Sequence, residues 1–487
     1  MRGSRTIRRI GAIAALLIAT MTVGADATPY LVVDVASGQI LSQDQATQSW
    51  FPASTTKLMT TYVALDAVRA GRITLDTPIM MSPRATRMAP SKMGFRAGSE
   101  VTLYNALVML MVKSANDIAV AIAEGVSGSV EAFADDMNRA SASLGMTQSN
   151  WVNPNGLPDA RQVTSARDLA ILGRALLTHF PEYSSLYNIG AMRIGGSVTQ
   201  THNGLLGRYP GADGMKTGFT CPAGFNIVAS ATRGGQRLIA VVLGAPSANA
   251  RTAKVAALLD RGFQSNQSLG ALAALPAAGP TAAPDMRDSV CRNRGPAMAE
   301  FMAEVDELSA PTGSSSGMGI PLLDTLGGAQ QQRLSARDIA QLPRPRFQPV
   351  DVYVGRAPGY SGPTARARAP GAQIGEQTDF AAYSGPVETG SAVDAAPMPR
   401  GRKASKQRPP NTRTTAAATP ASLDDNATTS ADSPPATATR AGKTAKAKSA
   451  TRPTDAAKTT AASAKATPVR GTRAKTAATP SAEARPQ

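Results

Sequence analysis

The sequence contains very few histidine and cysteine residues. Only two of each occur among its 487 residues. Two histidines are too few for most metal sites and leave few bases for a serine–histidine–aspartate arrangement, so we expect neither a metal ion nor another cofactor. The cysteines are Cys221 and Cys291. Whether they pair depends on a geometry that sequence does not fix, so a disulfide and two separate thiols both stay open.

Aromatic residues are also scarce: they make up 4% of the chain, and none follows Tyr383. From residue 400 onward, the sequence contains 17 Lys or Arg and 5 Asp or Glu residues, so most of the formal charge of +17 lies in this segment. Residues 366–487 lack apolar periodicity and bury too little apolar surface to offset chain entropy, which predicts a disordered tail. Residues 265–365 are expected to be a linker with little regular structure beyond one short helix, "PAMAEFMAEVDEL", and one strand.

An apolar run near the N-terminus, "IGAIAALLIATMTVG", is too short to span a bilayer comfortably. Four arginines precede it, and "ADA" at positions 25–27 fits a small-x-small cleavage pattern. We expect residues 1–27 to be a secretory signal that is cleaved before Thr28, the alternative being an uncleaved N-terminal anchor. The predicted location is therefore the periplasm or cell envelope, with membrane association left open.

Apolar spacing predicts a domain over residues 28–264. "YLVVDVASGQILSQD" is typical of a strand, a tight turn and a second strand. Apolar residues from Ser54 to Ala70 recur at helical spacing up to Gly71, and further helical patterns lead to the strands "GMKTGFT", "FNIVASATR" and "RLIAVVLGA". A last helix ends near Phe263. This order predicts one sheet that is assembled from both ends of the domain and covered by helices.

The stretch "FPASTTKLMT" places Ser54 and Lys57 three residues apart where the first predicted helix begins. On a helix, this spacing puts both side chains on one face. A serine hydroxyl is a poor nucleophile until a base takes its proton, and a lysine is such a base only when burial or a second cation lowers its pKa. Taken alone, the pair can be a chance match; as a catalytic pair, it requires a second cation nearby.

The stretch "VKSANDIA" contains Ser114 and Asn116 between two helical patterns. A short loop at this point can turn both side chains into a cleft, where Ser114 can relay a proton and Asn116 can hold an amide of a substrate. The alternative is structural: Ser114 as a helix N-cap, with Asn116 solvated.

The stretch "GMKTGFT" places Lys216, Thr217 and Gly218 on a predicted strand. Glycine within a strand often marks a close approach to the backbone. Lys216 supplies the second cation that the serine–lysine pair requires, and Thr217 supplies a hydroxyl. In isolation, a strand lysine beside a threonine is more commonly part of a solvated face.

These motifs follow one another about 60 and 100 residues apart. Ser-x-x-Lys, Ser-x-Asn and Lys-Thr-Gly in this order form the signature of penicillin-binding proteins and serine β-lactamases. With "YLVVDVASGQIL", "NPNGLPD", "TSARDLA", "THNGLL" and "RLIAVVLGA", the chain resembles the D-alanyl-D-alanine carboxypeptidase family, low-molecular-weight penicillin-binding proteins that trim peptidoglycan. The resemblance covers about residues 28–264. It implies an α/β (α+β) fold, a transpeptidase/β-lactamase-like sandwich whose antiparallel sheet is flanked by helices.

The resemblance also implies three catalytic residues. Ser54 is the expected nucleophile and Lys57 its general base, while Ser114 passes the proton to the leaving D-alanine. The implied reaction is acylation of Ser54 with release of D-alanine, followed by attack of water. The implied substrates are peptidoglycan stem peptides, and β-lactams are expected to acylate Ser54 and act as inhibitors.

The remaining motif residues are implied to bind the substrate. Asn116 is expected to hydrogen-bond the substrate's amide, and Lys216 and Thr217 are expected to receive its terminal carboxylate. The backbone N–H groups of the nucleophile and of Phe219, which follows Gly218, are expected to form the oxyanion hole.

Other functions stay open. A D,D-endopeptidase that cuts peptidoglycan cross-links has the same residues, whereas a β-lactamase is disfavoured because "NPNGLPD" contains no glutamate to drive deacylation. A different class is an envelope-binding protein that acts through the basic tail, with anionic polymers or the membrane surface as partners. The tail has no aromatic residues to stack on bases, which argues against specific nucleic-acid binding.

Overall fold

The computed structural model describes residues 28–277, 282–310, 334–369 and 372–374. The predicted signal segment and nearly all of the predicted tail lie outside the described residues. The strands, in chain order, are β1 (Tyr30–Asp34), β2 (Ile40–Asp44), β3 (Pro78–Met80), β4 (Glu100–Thr102), β5 (Ala191–Ile194), β6 (Ser197–Gln200), β7 (Ala212–Thr220), β8 (Gly224–Arg233), β9 (Gln236–Ala245) and β10 (Val350–Asp351). The helices are α1 (Lys57–Arg69), α2 (Pro83–Thr86), α3 (Leu103–Val112), α4 (Asn116–Ser127), α5 (Val130–Leu144), α6 (Ala166–His179), α7 (Ala248–Gln264), α8 (Arg294–Ser309) and α9 (Ala336–Gln341).

The main sheet is antiparallel and has the strand order β2-β1-β9-β8-β7. β1 pairs with β9, so that Tyr30 lies opposite Val242, and the first strand of the domain lies between β2 and β9, the last strand of this sheet in chain order. The predicted sheet assembled from both ends of the domain is therefore confirmed. β8 and β9 form a hairpin, with Gly234 and Gly235 at positive φ in its turn.

Both faces of the sheet are buried against helices. Successive side chains on a strand point to opposite faces, so that each strand contributes to two cores. Leu31 and Val33 of β1 pack in one core with α1, α3, α4, α5 and α6. Tyr30 and Val32 pack in a second core with α7, α8 and α9. The molecule is thus a sandwich of helices, sheet and helices, and β7 forms an edge of the sheet, where helices and loops can meet it.

The predicted linker, residues 265–365, contributes packed helices and a short strand. In α8, Phe301, Val305 and Leu308 follow the helical spacing of a buried stripe and pack in the core around α7. The short helix α9 joins the same core, and β10 adds a parallel strand to β5. The six residues of α9 are too few for a periodic signal in the sequence. Within the described ranges, no helix is both long and apolar enough to cross a membrane.

The two cysteines form a disulfide, which answers the question that the sequence left open. Cys221 directly follows β7, and Cys291 lies in the short helical turn Asp288–Arg292 that comes before α8. The bond therefore joins the end of the edge strand to the helices behind the sheet.

Candidate active site

Ser54 lies in a tight 3-10 turn, Ala53–Thr56, that runs directly into α1. Lys57 is the first residue of α1 and is fully buried. Its amine lies 3.0 Å from the Ser54 hydroxyl. The spacing of three residues across the turn therefore brings the two side chains together, as the sequence predicts.

The Lys57 amine has two further polar neighbours, the Asn116 side-chain oxygen at 2.8 Å and the Asn155 backbone oxygen at 2.5 Å. Asn116 donates its own NH₂ group to the Ala89 carbonyl, which fixes the orientation of the amide. Both oxygens facing Lys57 can therefore only accept. A neutral amine has two N–H donors and one lone pair. When these oxygens take both donors, the lone pair is left for the Ser54 hydroxyl.

The electrostatics favour this neutral amine. Burial lowers the pKa of Lys57 well below its usual value, and the charge of Lys216 lowers it further, while Asp117 acts in the opposite direction. Desolvation and a like charge both disfavour the ammonium form. The second cation that the sequence argument requires is therefore in place, and Lys57 is suited to accept a proton from Ser54.

Lys216 forms a second network with the Ser-x-Asn motif. Its amine lies 2.9 Å from the Ser114 hydroxyl and donates to the Thr217 carbonyl at 2.8 Å. Burial lowers the pKa of Lys216 to about 7, with a smaller contribution from the charge of Arg251. Ser114 lies between α3 and α4 at φ 59, a conformation that is unusual for a residue with a side chain and directs this hydroxyl to Lys216.

Gly218 brings β7 against the nucleophile's turn. A Cβ atom at this position would lie 2.8 Å from the Ser54 backbone nitrogen and 2.9 Å from that of Thr55. Only glycine permits so close an approach. The next residue, Phe219, is 43% exposed and its ring stacks on Phe225 at 4.1 Å. This arrangement supports the predicted oxyanion hole, which stays a prediction.

The three motifs are thus brought to one cleft. The Lys57–Asn116 contact joins Ser-x-x-Lys to Ser-x-Asn, and the Lys216–Ser114 contact joins Ser-x-Asn to Lys-Thr-Gly. Gly218 packs against the turn that holds the nucleophile. Thr217 is almost fully buried beside them. Within the described part of the chain, no cluster of three or more His, Cys, Asp or Glu side chains is arranged to hold a metal ion.

Sequence reasoning missed three residues that contribute to the site. Asn155 acts through its carbonyl, and its neighbour Gly156 lies so close to the Ala53 carbonyl that a Cβ could not fit; the "NPNG" turn was the available signal. Asp117 accepts hydrogen bonds from the backbone of residues 93 and 94 and so orders the loop beside Asn116. Arg251, on α7, has no local motif that marks it.

The part of the chain that holds the three motifs is similar to known proteins. A family model described as D-alanyl-D-alanine carboxypeptidase matches residues 18–247. The chain is 36% identical over 253 residues to the D-alanyl-D-alanine carboxypeptidase DacA of Haemophilus influenzae, covering 51% of this chain and 64% of that protein. It is 31% identical over 257 residues to DacB2 of Mycobacterium tuberculosis, covering 50% of this chain and 86% of that protein. The solved structure of penicillin binding protein 6B from Escherichia coli matches with 36% identity and a TM-score of 0.47, covering 48% of this chain and 76% of that one. The chain spans 61–64% of the length of the first curated relatives that it matches.

Proposed function

Because the chain belongs to the D-alanyl-D-alanine carboxypeptidase family, we propose that it is a serine carboxypeptidase that removes the terminal D-alanine from peptidoglycan stem peptides. The observation that carries the proposal is the environment of Lys57. Its buried amine has the Ser54 hydroxyl 3.0 Å away and two oxygen acceptors for its own protons. This is the arrangement that a serine nucleophile needs when no histidine serves as its base.

In the first step, Lys57 takes the proton of Ser54 as its Oγ forms a bond to the carbonyl carbon of the penultimate D-alanine. The oxygen of that carbonyl becomes an oxyanion, for which the backbone N–H groups of Ser54 and Phe219 are the expected donors. Each such donor typically stabilises the transition state by about 3 kcal/mol. The C–N bond then breaks and the acyl group stays on Ser54.

The leaving amine of D-alanine needs a proton, and we assign its delivery to Ser114. Its hydroxyl lies 2.9 Å from the Lys216 amine, so a proton that Ser114 gives up can be replaced. Acylation thus leaves Lys57 with one proton more and Lys216 with one proton fewer, and exchange with solvent restores both amines. Water then attacks the acyl-enzyme as Lys57 takes its proton, and that proton passes to the Ser54 oxygen as the shortened peptide leaves.

The terminal carboxylate of the substrate is complementary to the positive charge at Lys216, which Arg251 supplements. Thr217 adds a hydroxyl at the same place. Binding of a carboxylate is expected to raise the pKa of Lys216, since an opposite charge favours the ammonium. A peptide that ends in a free carboxylate is therefore preferred over one that ends in an amide.

β-Lactams resemble the acyl-D-alanyl-D-alanine terminus and are expected to acylate Ser54, with slow hydrolysis making them inhibitors. The substrate is a cell-wall polymer, so the site of action is the exported side of the cell envelope. We would incubate the purified protein with fluorescent penicillin and, separately, with a stem pentapeptide. Wild type should be labelled and should release one D-alanine per peptide, whereas Ser54→Ala and Lys216→Ala should lose both activities. Labelling of Ser54→Ala at the wild-type rate would refute the assignment.

A further inference from the structure

The Ser-x-Asn motif lies at the tip of a helical hairpin. α3 ends at Val112, α4 begins at Asn116, and Ser114 lies in the short connection. The opposite, open end of this hairpin consists of the start of α3 and the end of α4. A segment far along the chain, residues 350–368, contacts both of these helix ends; we call it the strap. It lies beyond residue 247, where the match to the family model ends.

The strap holds the start of α3 through Glu100, on β4. Arg356 donates to both carboxylate oxygens of Glu100, at 2.8 and 3.2 Å, and Thr364 donates to the same carboxylate at 2.7 Å. The backbone of Gly355 also donates to the Glu100 carbonyl. These bonds fix the strap to Glu100, the first residue of the short strand β4, and β4 leads directly into α3.

The strap holds the end of α4 through Arg368. Its guanidinium donates to the carbonyls of Gly125 and Val126, both at 2.7 Å, and its backbone N–H donates to the Gly128 carbonyl. The last carbonyls of a helix have no partner within it and carry partial negative charge, so a cation that donates to two of them satisfies and stabilises this end. Arg368 is only 8% exposed.

Close packing accompanies these hydrogen bonds. A Cβ atom on Gly125 would lie 3.3 Å from the Cβ of Ala365 and 3.1 Å from the side chain of Ile79. Ala365 in turn donates its N–H to the Pro78 carbonyl of β3. The strap thus lies directly against α4 and β3, and α4 cannot shift at this end without displacing it.

A shift at the end of α4 would be expected to displace the active site, because the other end of the same helix carries Asn116. α4 has 12 residues, which corresponds to about 18 Å at 1.5 Å per residue. A tilt of about 3° over that length displaces the far end by about 1 Å, and displacements of that size can lower a rate about 100-fold. Asn116 is the first residue of α4, and it contacts the Lys57 amine at 2.8 Å.

We propose that the strap positions the Ser-x-Asn motif by tying together the two ends of the α3–α4 hairpin, with Arg368 and Arg356 as positioning residues. The inference rests on the proposed function, since it concerns the acylation step. Neither arginine touches substrate. Their effect is exerted through Ser114 and Asn116 at the tip of the hairpin.

The test uses the full chain and the second-order rate constant of acylation by fluorescent penicillin, together with kcat and KM for release of D-alanine. We expect Arg368→Ala to lower the acylation rate and kcat by about tenfold or more, with KM changed less. Arg368→Lys should recover part of the rate, because it retains a cation that donates N–H groups, although from a single nitrogen. Arg356→Ala, which removes a half-exposed ion pair, should have a smaller effect in the same direction.

Two variants separate positioning from stability. Val305→Ala removes buried contact from α8, in the core on the other face of the sheet, and should lower the melting temperature without slowing acylation well below it. Arg337→Ala breaks an exposed ion pair with Asp306 in the same C-terminal region and should leave acylation unchanged. If Arg368→Ala fails to fold, Arg356→Ala is compared with Arg337→Ala.

Acylation of Arg368→Ala or, where that variant does not fold, of Arg356→Ala at the wild-type rate would overturn the proposal, as would an equal loss in the Val305→Ala control. Failure of the proposed function has a different signature. In that case, the wild-type protein itself takes up no penicillin at Ser54 and releases no D-alanine.

Discussion

The side-chain oxygen of Asn116 lies 2.8 Å from the amine of Lys57, a residue 59 positions earlier in the chain. This contact joins the Ser-x-Asn motif to the Ser-x-x-Lys motif. It also fixes one of the two N–H groups of the neutral amine, so Asn116 orients the base in addition to any contact that it makes with substrate.

The first prediction concerns this contact. Asn116→Asp places a carboxylate beside Lys57 and should raise the pKa of the lysine, because an opposite charge stabilises the ammonium. Acylation by penicillin should be slower at neutral pH, and the rising limb of the plot of acylation rate against pH should shift to higher pH. Asn116→Ala removes the oxygen without adding charge, so it should slow acylation without that shift. Identical pH profiles for the two variants would contradict the role of Asn116 beside the base.

The second prediction concerns pH and substrate charge. The pKa of Lys216 is lowered to about 7 by burial, so the free enzyme loses this positive charge as the pH rises through that value. For a peptide that ends in a carboxylate, kcat/KM should therefore fall on the alkaline side of about pH 7. The same peptide with a terminal amide should react more slowly and show a shallower alkaline limb, because only the proton relay through Ser114 then depends on this charge. A parallel decline for both peptides would argue against Lys216 as the carboxylate receptor.

The third prediction tests the contact between β7 and the nucleophile's turn. A methyl group at Gly218 would meet the backbone nitrogen of Ser54 at 2.8 Å. Gly218→Ala should thus displace the turn and reduce acylation by about 100-fold, as expected for a displacement of roughly 1 Å. Gly196 supplies the matched control, since nothing lies within 4 Å of the Cβ it would receive. Gly196→Ala should be acylated by penicillin at the wild-type rate. Acylation of Gly218→Ala at that rate would contradict the importance of this contact.

The fourth prediction concerns Glu124, a residue of α4 that is only 2% exposed. Burial raises its pKa from 4.5 to about 7. In the unfolded chain, the carboxyl ionises near 4.5, so the folded state binds this proton more tightly. The resulting stabilisation is fully present below pH 4.5, decreases between pH 4.5 and about 7, and is lost above it.

Glu124→Gln should remove this dependence. Between pH 5 and pH 8, the wild type should lose roughly 1–3 kcal/mol more unfolding free energy than the variant. Glu131→Gln serves as the control, because the Glu131 side chain is 68% exposed and its pair with Arg84 lies at the surface. Urea denaturation at the two pH values measures the difference. Equal losses for wild type and Glu124→Gln would contradict the prediction.

The sequence predicted the parts of the site that have a local signature. Ser54 and Lys57 are near one another on one turn, so their spacing alone brings them together. The sheet followed from the strand patterns at β1, β2, β8 and β9, and the order of elements predicted that strands from both ends of the domain would share one sheet. The family resemblance then joined the three motifs, which no local pattern could have done.

Other features depend on contacts between distant residues. The Asn155 carbonyl reaches Lys57 across 98 positions, and a backbone oxygen carries no side-chain signature. Arg251 acts on Lys216 through space, from a helix on the other face of the sheet. The sequence assigns residues 350–365 of the strap to the linker, with one strand expected in that linker, and residues 366–368 to the disordered tail. In the structure, this segment is held by arginines bound to carbonyls and carboxylates elsewhere, as at Arg368.

The position of β1 in the interior of the sheet has a consequence for the order in which the domain can form. Its partner β9 ends at Ala245, so the strand made first has no neighbour on that side until more than two hundred later residues have been synthesised. The main sheet therefore depends on the pairing of segments far apart in the chain, which forms more slowly than local contacts do. We expect a chain truncated before β9 to leave β2 as the neighbour of β1 in this sheet.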